Sequence, residues 1–460
     1  MSPQQQFLNT LKNNISPNSI ITDVNHKVKY ETDWRGDFIA SSICVIFPSS
    51  INEIQYIIKN CIKYNIKITP QGGNTSKCGA AVPNIDKDHH IILNLSKLNK
   101  ILDFDAQNKS ICVESGCTLM QINKYLAHTN LFFPLNITPK ESCQIGGNIA
   151  TNAGGMNVLK YGMMRDITLG LEVILPNGNI INQLTTLRKN NTYIDLKQIF
   201  IGSEGTLGII TKAQLKLALK PHSKITFLIG APTLNICNEI LTILQINNLS
   251  VSAFEVLNKR IQEIHQQLTK SLPITDEWLI IGSIDYFTQH EIEHLHNALN
   301  NINAIKDKII IATSETEQEY IWSIRKNIPL IEKSYGNALK YDISLPIGNV
   351  ENFINHNHKS LLLINIDATQ IIIFGHLGDG NLHYNIPLST IPNNTNHEFI
   401  HETIYSNVIN HGGSISAEHG IGQLKNKWHK MFCDANSYNL TQSIKSLLDP
   451  LNIFNPGKVF

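Results

Sequence analysis

The sequence lacks the cysteine patterns that hold iron–sulfur clusters or structural zinc. It has eight cysteines, but none form a Cys-x-x-Cys pair and no four follow ferredoxin spacing. It also has no long run of Lys or Arg, and no uninterrupted apolar stretch reaches the roughly 18–20 residues that span a bilayer. We therefore expect no membrane-spanning helix. We expect no nucleic-acid partner either, because nucleic-acid binders usually carry a basic stripe.

The composition is that of a folded protein with more than one domain. Hydrophobic residues make up 42% of the 460 residues and charged residues 16%, which is enough apolar material for sizeable cores. The formal net charge of +1 permits a small anionic substrate, which needs only one or two well-placed cations. Residues 1–29 are polar, so we predict no secretory leader and a cytoplasmic protein with reduced thiols. Peripheral attachment to the inner face of a membrane stays open.

Hydrophobic periodicity predicts an α+β protein in three segments, 1–220, 221–412 and 413–460. The first alternates helices over 48–64 and 118–127 with strands over 67–69, 91–95, 110–113 and within 201–211. The second has strands over 226–230 and 278–284 and amphipathic helices over 234–246, 289–302 and 316–331. The third returns to glycine-rich, motif-bearing sequence, and we predict that it packs back on the first segment.

Three glycine-rich segments predict backbone that approaches a ligand closely. The first, 70–76, follows a predicted strand and ends in GGNTS, where successive N–H groups can form an anion nest. The second, 143–155, has two Gly-Gly pairs, and the third is 202–211. None matches the Walker A or Rossmann pattern. One such turn is often an ordinary surface turn, but three together favour an extended or flat ligand packed against backbone.

A pair of histidines flanks a turn in the motif GHLGDGNLH, residues 375–383. Strand-like residues on both sides predict a hairpin that brings His376 and His383 together, with Asn385 on the face of His383. A separate AEHG motif supplies Glu418 and His419. Two imidazoles and a carboxylate are a common catalytic zinc set. From the residues alone, a metal site and ordinary buried or surface histidines stay equally open.

Two candidate cations precede the histidine motif in the chain, Arg325 and Lys340. Ser314 and Glu317 resemble a capping box that opens a helix, and Arg325 lies on that helix before Pro329, which kinks or ends it. Lys340 then shares one face of an alternating strand with two other polar residues. Without further information an ordinary solvated face is the simpler interpretation of that strand.

These motifs together resemble the FAD-linked D-2-hydroxy-acid dehydrogenases of the vanillyl-alcohol-oxidase/para-cresol-methylhydroxylase superfamily, and the resemblance covers nearly the whole chain. It implies a two-part FAD-binding domain and an α+β substrate (cap) domain with an antiparallel sheet. It implies non-covalent FAD, because Asn74 stands where some members have a tethering histidine. The cofactor-binding residues that it implies are Pro70, Gln71, Gly72, Gly73, Asn74, Thr75, Ser76, Ser142, Gly146, Gly147, Thr151, Asn152, Gly154, Gly155, Gly205, Ile210 and Asn455.

The same resemblance assigns roles at the remaining motifs. It implies that a divalent metal, zinc first, is bound by His376, His383 and Glu418, with His419 as the base. It implies that the substrate is held by Arg325, Lys340 and Asn385. Asp379 is interpreted as a turn residue that orients a ligand. One departure is Pro329, which stands where some 2-hydroxyglutarate enzymes have a hydroxyl residue and so removes one donor.

The expected reaction is oxidation of a D-2-hydroxy acid, D-2-hydroxyglutarate first, by hydride transfer to flavin N5. D-lactate dehydrogenase and glycolate oxidase subunit are alternatives within the same chemistry, and a metal-free oxidase would not need the His/His/Glu set. A flavin-binding protein without turnover and a purely structural protein are the alternatives of another class. The external electron acceptor, a quinone or an electron-transfer flavoprotein, and a homodimer are compatible with the sequence but not indicated by it.

Overall fold

The computed structural model describes residues 1–84, 89–286, 290–300, 302–312 and 314–460. Two compact units make up the chain. The first comprises residues 1–154, 162–220 and 418–460, and the second comprises 155–161 and 221–417. Residues 155–161 thus belong to the second unit, although the chain on both sides of them belongs to the first. None of the described helices is long and apolar enough to cross a membrane.

The first unit begins with a small, partly parallel sheet. Helix Ile51–Tyr64 precedes one of its strands and matches the predicted helix over 48–64, because Ser50 accepts a hydrogen bond from the Glu53 N–H and starts the helix there. It ends at Asn65, whose φ of 51° is left-handed. In spatial order the strands are β1, β2, β4 and β3, namely Ile20–Ile21 (β1), Val45–Ile46 (β2), Lys67–Gln71 (β3) and His90–Asn94 (β4).

A second sheet of the first unit is antiparallel. Its order is β5-β6-β10-β8-β9, and β7 and β11 form a separate pair. The prediction of a strand within 201–211 holds only for the end of that segment, because Glu204 and Gly205 have φ values of 51° and 72° and belong to a turn. The strands are Ile101–Asp105 (β5), Ser110–Glu114 (β6), Leu131–Phe132 (β7), Thr168–Ile174 (β8), Ile180–Asn182 (β9), Ile209–Lys216 (β10) and Ala218–Leu219 (β11).

The other helices of the first unit are mostly short, and those near its glycine-rich segments have fewer than two turns. The predicted helix over 118–127 is present as Leu119–Tyr125, with Thr118 and Gln121 forming a capping box. Apolar side chains from both sheets and from the last residues of the chain form its buried core. These helices are Pro3–Lys12, Val24–Glu31, Leu119–Tyr125, Ile145–Ala150, Met164–Ile167, Lys197–Phe200, Asn426–Phe432 and Ala435–Leu448.

The second unit is built on a seven-stranded sheet within the part of the chain that is described. All its neighbouring strands pair antiparallel, which confirms the expected α+β architecture. The spatial order is β15-β12-β14-β13-β17-β18-β16. The strands are Ser223–Ala231 (β12), Val251–Asn258 (β13), Trp278–Tyr286 (β14), Ile309–Ala312 (β15), Ala338–Ser344 (β16), Ile372–His376 (β17) and Asn381–Pro387 (β18).

Amphipathic helices bury their apolar stripes against this sheet. The prediction for 234–246 is matched by Leu234–Ile246, and that for 289–302 by His290–Asn300, although residues 289 and 301 lie outside the described ranges. The helix predicted over 316–331 is interrupted, as expected from Pro329, but the chain forms two helices that meet at Asn327, because Pro329 lacks an N–H and fits only the first turn of a new helix. The helices are Val158–Tyr161, Leu234–Ile246, Lys259–Thr269, His290–Asn300, Glu315–Lys326, Ile328–Tyr335, Val350–Leu362 and His397–Asn410.

Candidate functional site

A cavity in the first unit is bordered by the three glycine-rich segments. The polar loop that follows β3, the short helix Ile145–Ala150 and the turn before β10 contribute backbone and small side chains to its wall. The predicted cofactor residues on this wall are Pro70, Gln71, Gly72, Gly73, Asn74, Thr75, Ser76, Gly146, Gly147, Thr151, Gly154, Gly205 and Ile210.

Gly73 is required by close packing of two backbone segments. A Cβ at this position would lie 1.7 Å from the carbonyl oxygen of Ser142, so no side chain fits. The next residue, Asn74, is left-handed with φ of 52°, and its amide donates hydrogen bonds to the carbonyls of Thr32 and Lys29. The turn is therefore fixed by backbone geometry before any ligand binds.

Four predicted cofactor residues have other surroundings. Ser142 provides the carbonyl that packs on Gly73, and the amide oxygen of Asn152 accepts the Arg165 N–H at 2.9 Å. Gly155 belongs to the second unit. The buried Asn455 amide donates to the carbonyl oxygens of Ala80 and Glu204, so it joins two loops of the first unit.

The cavity wall offers buried polar atoms for a ligand. Among the described residues, the Oγ of Ser115, the Oε1 of Gln144 and the Nδ2 of Asn148 are buried without a hydrogen-bond partner. Such atoms are costly unless a ligand or water satisfies them. A hydroxyl, an acceptor and a donor beside a glycine-rich backbone suit the mixed donors and acceptors of a flavin dinucleotide, so the residues present fit FAD.

Glu204 is a residue that the sequence analysis did not single out. Its side chain is buried and accepts hydrogen bonds from the N–H groups of Ile421 and Gly422 at 2.7 and 2.9 Å. Burial raises the pKa of Glu204 to about 7, although these two N–H groups act to lower it. Glu204 therefore fixes the loop that directly follows Glu418 and His419. The one sequence feature that could have pointed to Glu204 is that it is an acid within the glycine-rich segment 202–211.

Glu418 and His419 line the same cavity as the glycine-rich turn. The Nε2 of His419 lies 3.2 Å from the Nζ of Lys77, the residue after the GGNTS turn. An ammonium group can only donate, so Nε2 accepts in this contact and the neutral imidazole carries its proton on Nδ1. The predicted base is thus held on the cavity wall beside the predicted phosphate cradle.

In the second unit, the predicted hairpin brings the two histidines of the GHLGDGNLH motif together. Strands β17 and β18 pair antiparallel with Phe374 opposite His383, and the rings of His376 and His383 lie 6.3 Å apart between centroids. Asp379 accepts the Asn381 N–H at 3.2 Å, and Gly380 is left-handed with φ of 80°, which closes the turn. Both the hairpin and the proximity of the histidines confirm the prediction.

Glu255 of β13 links His376 to Arg325. Its carboxylate is fully buried, and it contacts the Nδ1 of His376 and, at 2.7 Å, the Nε of Arg325. Burial alone would raise the pKa of Glu255, but the adjacent His376 and Arg325 lower it to about 2. The carboxylate accepts, so His376 donates from Nδ1; when the imidazole is neutral its lone pair is then on Nε2, the arrangement of a metal-ligating histidine. The sequence analysis missed Glu255, an acid within the apolar strand β13.

His383, Lys340 and Asn385 occupy one face at the β16–β18 edge. Asp342 lies opposite His383 in register, and its Oδ1 is 3.8 Å from the Nδ1 of His383. Lys340 lies opposite Asn385. The prediction that Asn385 shares a face with His383, and Lys340 with Asp342, is confirmed, and the strand register places both pairs on one face of the sheet. A second carboxylate therefore stands beside the second imidazole.

The Lys340 and Asn385 side chains both contact Glu332 on helix Ile328–Tyr335. The Nζ of Lys340 is 3.0 Å from Oε2 of Glu332, and the Asn385 amide donates to Oε1 at 3.2 Å. The same amide is 3.2 Å from the hydroxyl of Tyr335, whose pKa is raised by burial. Glu332 was also missed, since nothing in its helix distinguishes it from a solvated glutamate.

Comparison with known proteins adds the family. The chain matches the FAD binding domain family over residues 42–183 and the C-terminal domain of FAD linked oxidases over 220–459. It is 34% identical over 459 residues to "D-2-hydroxyglutarate dehydrogenase, mitochondrial" of Danio rerio, covering 96% of this chain and 83% of the relative. It is 33% identical over 445 residues to "Putative D-lactate dehydrogenase, mitochondrial" of Schizosaccharomyces pombe, covering 93% and 84%.

The structural neighbours agree in fold. The chain matches p-cresol methylhydroxylase with substrate bound at a TM-score of 0.76 and 16% identity, over 99% of this chain and 96% of the other. At that identity the likeness concerns the fold alone. The family matches, the relatives that align with nearly the whole chain and the glycine-lined cavity all indicate an FAD-linked enzyme. The chain therefore belongs to the FAD-linked oxidoreductases that include the D-2-hydroxyglutarate and D-lactate dehydrogenases.

Proposed function

We propose that this protein oxidises a D-2-hydroxy acid to the corresponding 2-oxo acid with bound FAD. The observation that carries the proposal is the position of His419 on the wall of the glycine-lined cavity of the first unit. A hydroxy acid loses a proton from oxygen and a hydride from carbon, so a base must lie beside the hydride acceptor. His419 meets that requirement if the cavity holds the flavin.

The residues of this cavity would hold FAD. The backbone and hydroxyls of the 72–76 turn would bind the pyrophosphate, and the 146–154 and 205–210 segments would line the rest of the cofactor. The flavin supplies hydride acceptance at N5, and the protein supplies orientation and charge. Binding is non-covalent, since an amide side chain at Asn74 is no nucleophile and is already hydrogen-bonded to two carbonyls.

A divalent metal, zinc being the first candidate, would be held by His376, His383 and Glu418. Support comes from Glu255, which accepts from the Nδ1 of His376 as the partners of ligating histidines do, and from Asp342, whose carboxylate lies 3.8 Å from the Nδ1 of His383. The N–H of Ala417, directly before Glu418 in the chain, donates at 3.3 Å to the carbonyl of Asp342, which lies opposite His383. The ion would lower the pKa of the substrate hydroxyl and fix its geometry.

The protein's own side chains complete the reaction. His419 takes the hydroxyl proton on its imidazole, and Arg325 and Lys340 bind the substrate carboxylate, the first through a planar fork and the second as a point charge. Asn385 supplies an amide donor beside Lys340. Lys77 must leave the Nε2 of His419 before that nitrogen can accept the proton.

The relatives suggest the order in which substrates are tested. D-2-hydroxyglutarate comes first and D-lactate second, because those are the substrates in the relatives' names. Glycolate is the third. A quinone or an electron-transfer flavoprotein accepts the electrons. The cytoplasmic location and a homodimer stay predictions from the sequence, whereas both relatives described above are named mitochondrial.

The decisive experiment mixes the purified yellow protein anaerobically with D- and L-2-hydroxy acids and follows loss of the oxidised-flavin absorbance. We expect rapid bleaching by one or more D-acids and by none of the L-acids. Treatment with a chelator should abolish bleaching without releasing FAD, and added zinc should restore it. Protein that binds flavin but is bleached by no 2-hydroxy acid would support the binding-protein alternative instead.

The metal ligand is tested separately. Glu418→Gln should lose most of its bound metal, measured by elemental analysis, and most of its bleaching rate. The matched control is Glu402→Gln, a change at an exposed glutamate of helix His397–Asn410. Full metal content and activity in Glu418→Gln would exclude Glu418 as a ligand.

A further inference from the structure

The cations assigned to the substrate carboxylate each face an acid within the second unit. Arg325 contacts Glu255 at 2.7 Å and Lys340 contacts Glu332 at 3.0 Å. Asp342 adds a carboxylate on the strand face that also carries Lys340. Before any metal or substrate binds, this part of the site therefore has no surplus of fixed positive charge.

The two acids differ in what they can do to a substrate. Glu255 is fully buried and contacts both Arg325 and His376. Its negative charge is therefore compensated by groups of the protein itself. The Glu332 side chain is 28% exposed and that of Lys340 is 32% exposed. Of the two acids, Glu332 is therefore the one that a substrate can approach from solvent.

Glu332 also contacts both predicted substrate residues of the adjacent strands. One carboxylate oxygen faces the Nζ of Lys340, and the other accepts from the amide of Asn385. A carboxylate that approaches Lys340 and Asn385 must therefore share them with Glu332. The carboxylate of Glu332 and a substrate carboxylate that share these partners repel each other, and the repulsion is stronger where water is partly excluded.

We infer that Glu332 is a specificity-determining residue that disfavours a second carboxylate on the substrate. The site then takes a monocarboxylic D-2-hydroxy acid whose side chain is neutral. One substrate carboxylate needs only one of the two cations, whereas a dicarboxylic acid needs both and meets Glu332 at the second. This inference rests on the proposed function and deepens it. Pro329, one turn earlier on the same helix, likewise offers no hydrogen-bond donor.

The test compares substrates rather than overall activity. With the flavin-loaded enzyme, kcat/KM is measured for D-lactate and for D-2-hydroxyglutarate in wild type, Glu332→Gln and Glu332→Asp. The wild type should prefer D-lactate. Glu332→Gln keeps the size and one hydrogen bond but loses the charge, so kcat/KM for D-2-hydroxyglutarate should rise about tenfold or more, while that for D-lactate should change less than about threefold. Glu332→Asp should keep the wild-type preference.

A binding measurement separates this inference from the proposed function. Dissociation constants of pyruvate and 2-oxoglutarate are measured by titration calorimetry on the oxidised enzyme, which needs no turnover. Glu332→Gln should lower the dissociation constant of 2-oxoglutarate and leave that of pyruvate unchanged. The control Glu319→Gln, at an exposed glutamate of the preceding helix, should change neither dissociation constant. Wild-type preference for the dicarboxylic ligands, or equal effects of Glu332→Gln on both classes, would overturn the inference. If no hydroxy acid bleaches the flavin, the proposed function fails and the binding data alone decide the role of Glu332.

Discussion

The carboxylate of Glu255 accepts a hydrogen bond from the Nδ1 of His376, and the same carboxylate holds Arg325. One buried acid on β13 thus orients an imidazole of the metal motif and a cation of the substrate motif together. The two motifs are 51 residues apart in sequence between Arg325 and His376. Their common partner would therefore make the proposed metal binding and the proposed carboxylate binding interdependent.

Glu255→Gln should weaken metal binding and stability together. An amide cannot supply the charge that makes His376 a stronger ligand, so metal affinity should fall about 10–100-fold in equilibrium dialysis. Arg325 loses its buried partner, so the free energy of unfolding should drop by about 3 kcal/mol in urea titrations. Glu277→Gln, at a half-exposed ion pair with Lys259, is the control. Unchanged metal affinity would show that Glu255 has no part in orienting His376.

His419→Ala should slow flavin reduction by about 10²–10⁴-fold, because the substrate hydroxyl would lose its proton acceptor. FAD content and metal content should stay at wild-type levels, since His419 is not proposed to bind either. Stopped-flow measurement of flavin bleaching gives the rate. His26→Asn, at a highly exposed histidine, controls for loss of an imidazole in general. A near-wild-type rate would remove His419 from the mechanism.

Glu204→Gln should change how stability depends on pH. The folded-state pKa of Glu204 is about 7, raised by burial from 4.5. The folded protein therefore holds this proton more tightly than the unfolded chain, and the resulting stability is present below pH 4.5 and is lost as pH rises to 7. Between pH 5 and 8, the stability of the wild type relative to the glutamine variant should decline by about 2–3 kcal/mol. Parallel pH curves from urea unfolding would contradict this.

Asp285→Asn should loosen residues 155–161. Asp285 is buried and accepts from Lys160 at 2.8 Å and Tyr161 at 2.9 Å, both within that segment. Burial alone would raise the pKa of Asp285, but Lys224 and Lys160 lower it, so its stabilising effect is lost as pH falls through the folded-state pKa. The variant should lose about 3 kcal/mol of unfolding free energy at neutral pH.

Limited proteolysis checks the location of that effect, since cleavage within residues 155–161 should become faster. The control is Asp195→Asn, which removes the half-exposed acid of an ion pair with Lys197. It should lower the free energy of unfolding by less than about 1 kcal/mol. Equal effects of the two variants would mean that the buried network does not hold the segment.

The elements that sequence reasoning predicted are those whose cause is local. The apolar stripe of Leu234–Ile246, the cap at Ser50 and the turn between His376 and His383 each depend on residues close in sequence. Pro329 was predicted to kink or end its helix, but the break at Asn327 and the second helix after it were missed because the apolar periodicity continues through Pro329. Periodicity cannot show where a proline starts a new helix.

The residues that sequence reasoning missed are those whose partners are distant in the chain. Glu255 meets His376 from a strand 121 residues away, and Glu204 meets Gly422 from a loop 218 residues away. Neither acid belongs to a motif with metal-ligand or catalytic spacing. Their roles depend on sheet order and on burial, which a single sequence does not encode locally.

Residues 155–161 bear on how this protein can be divided. The polypeptide passes between the two units four times, after residues 154, 161, 220 and 417. A fragment that starts at Pro221 would keep Asp285 and its partner Lys224 but lack Lys160 and Tyr161, which donate to the other carboxylate oxygen. No single stretch of backbone thus carries the whole second unit, and a gene fusion or swap that exchanges 221–417 alone would transplant a sheet whose buried Asp285 keeps Lys224 but has lost two hydrogen-bond donors.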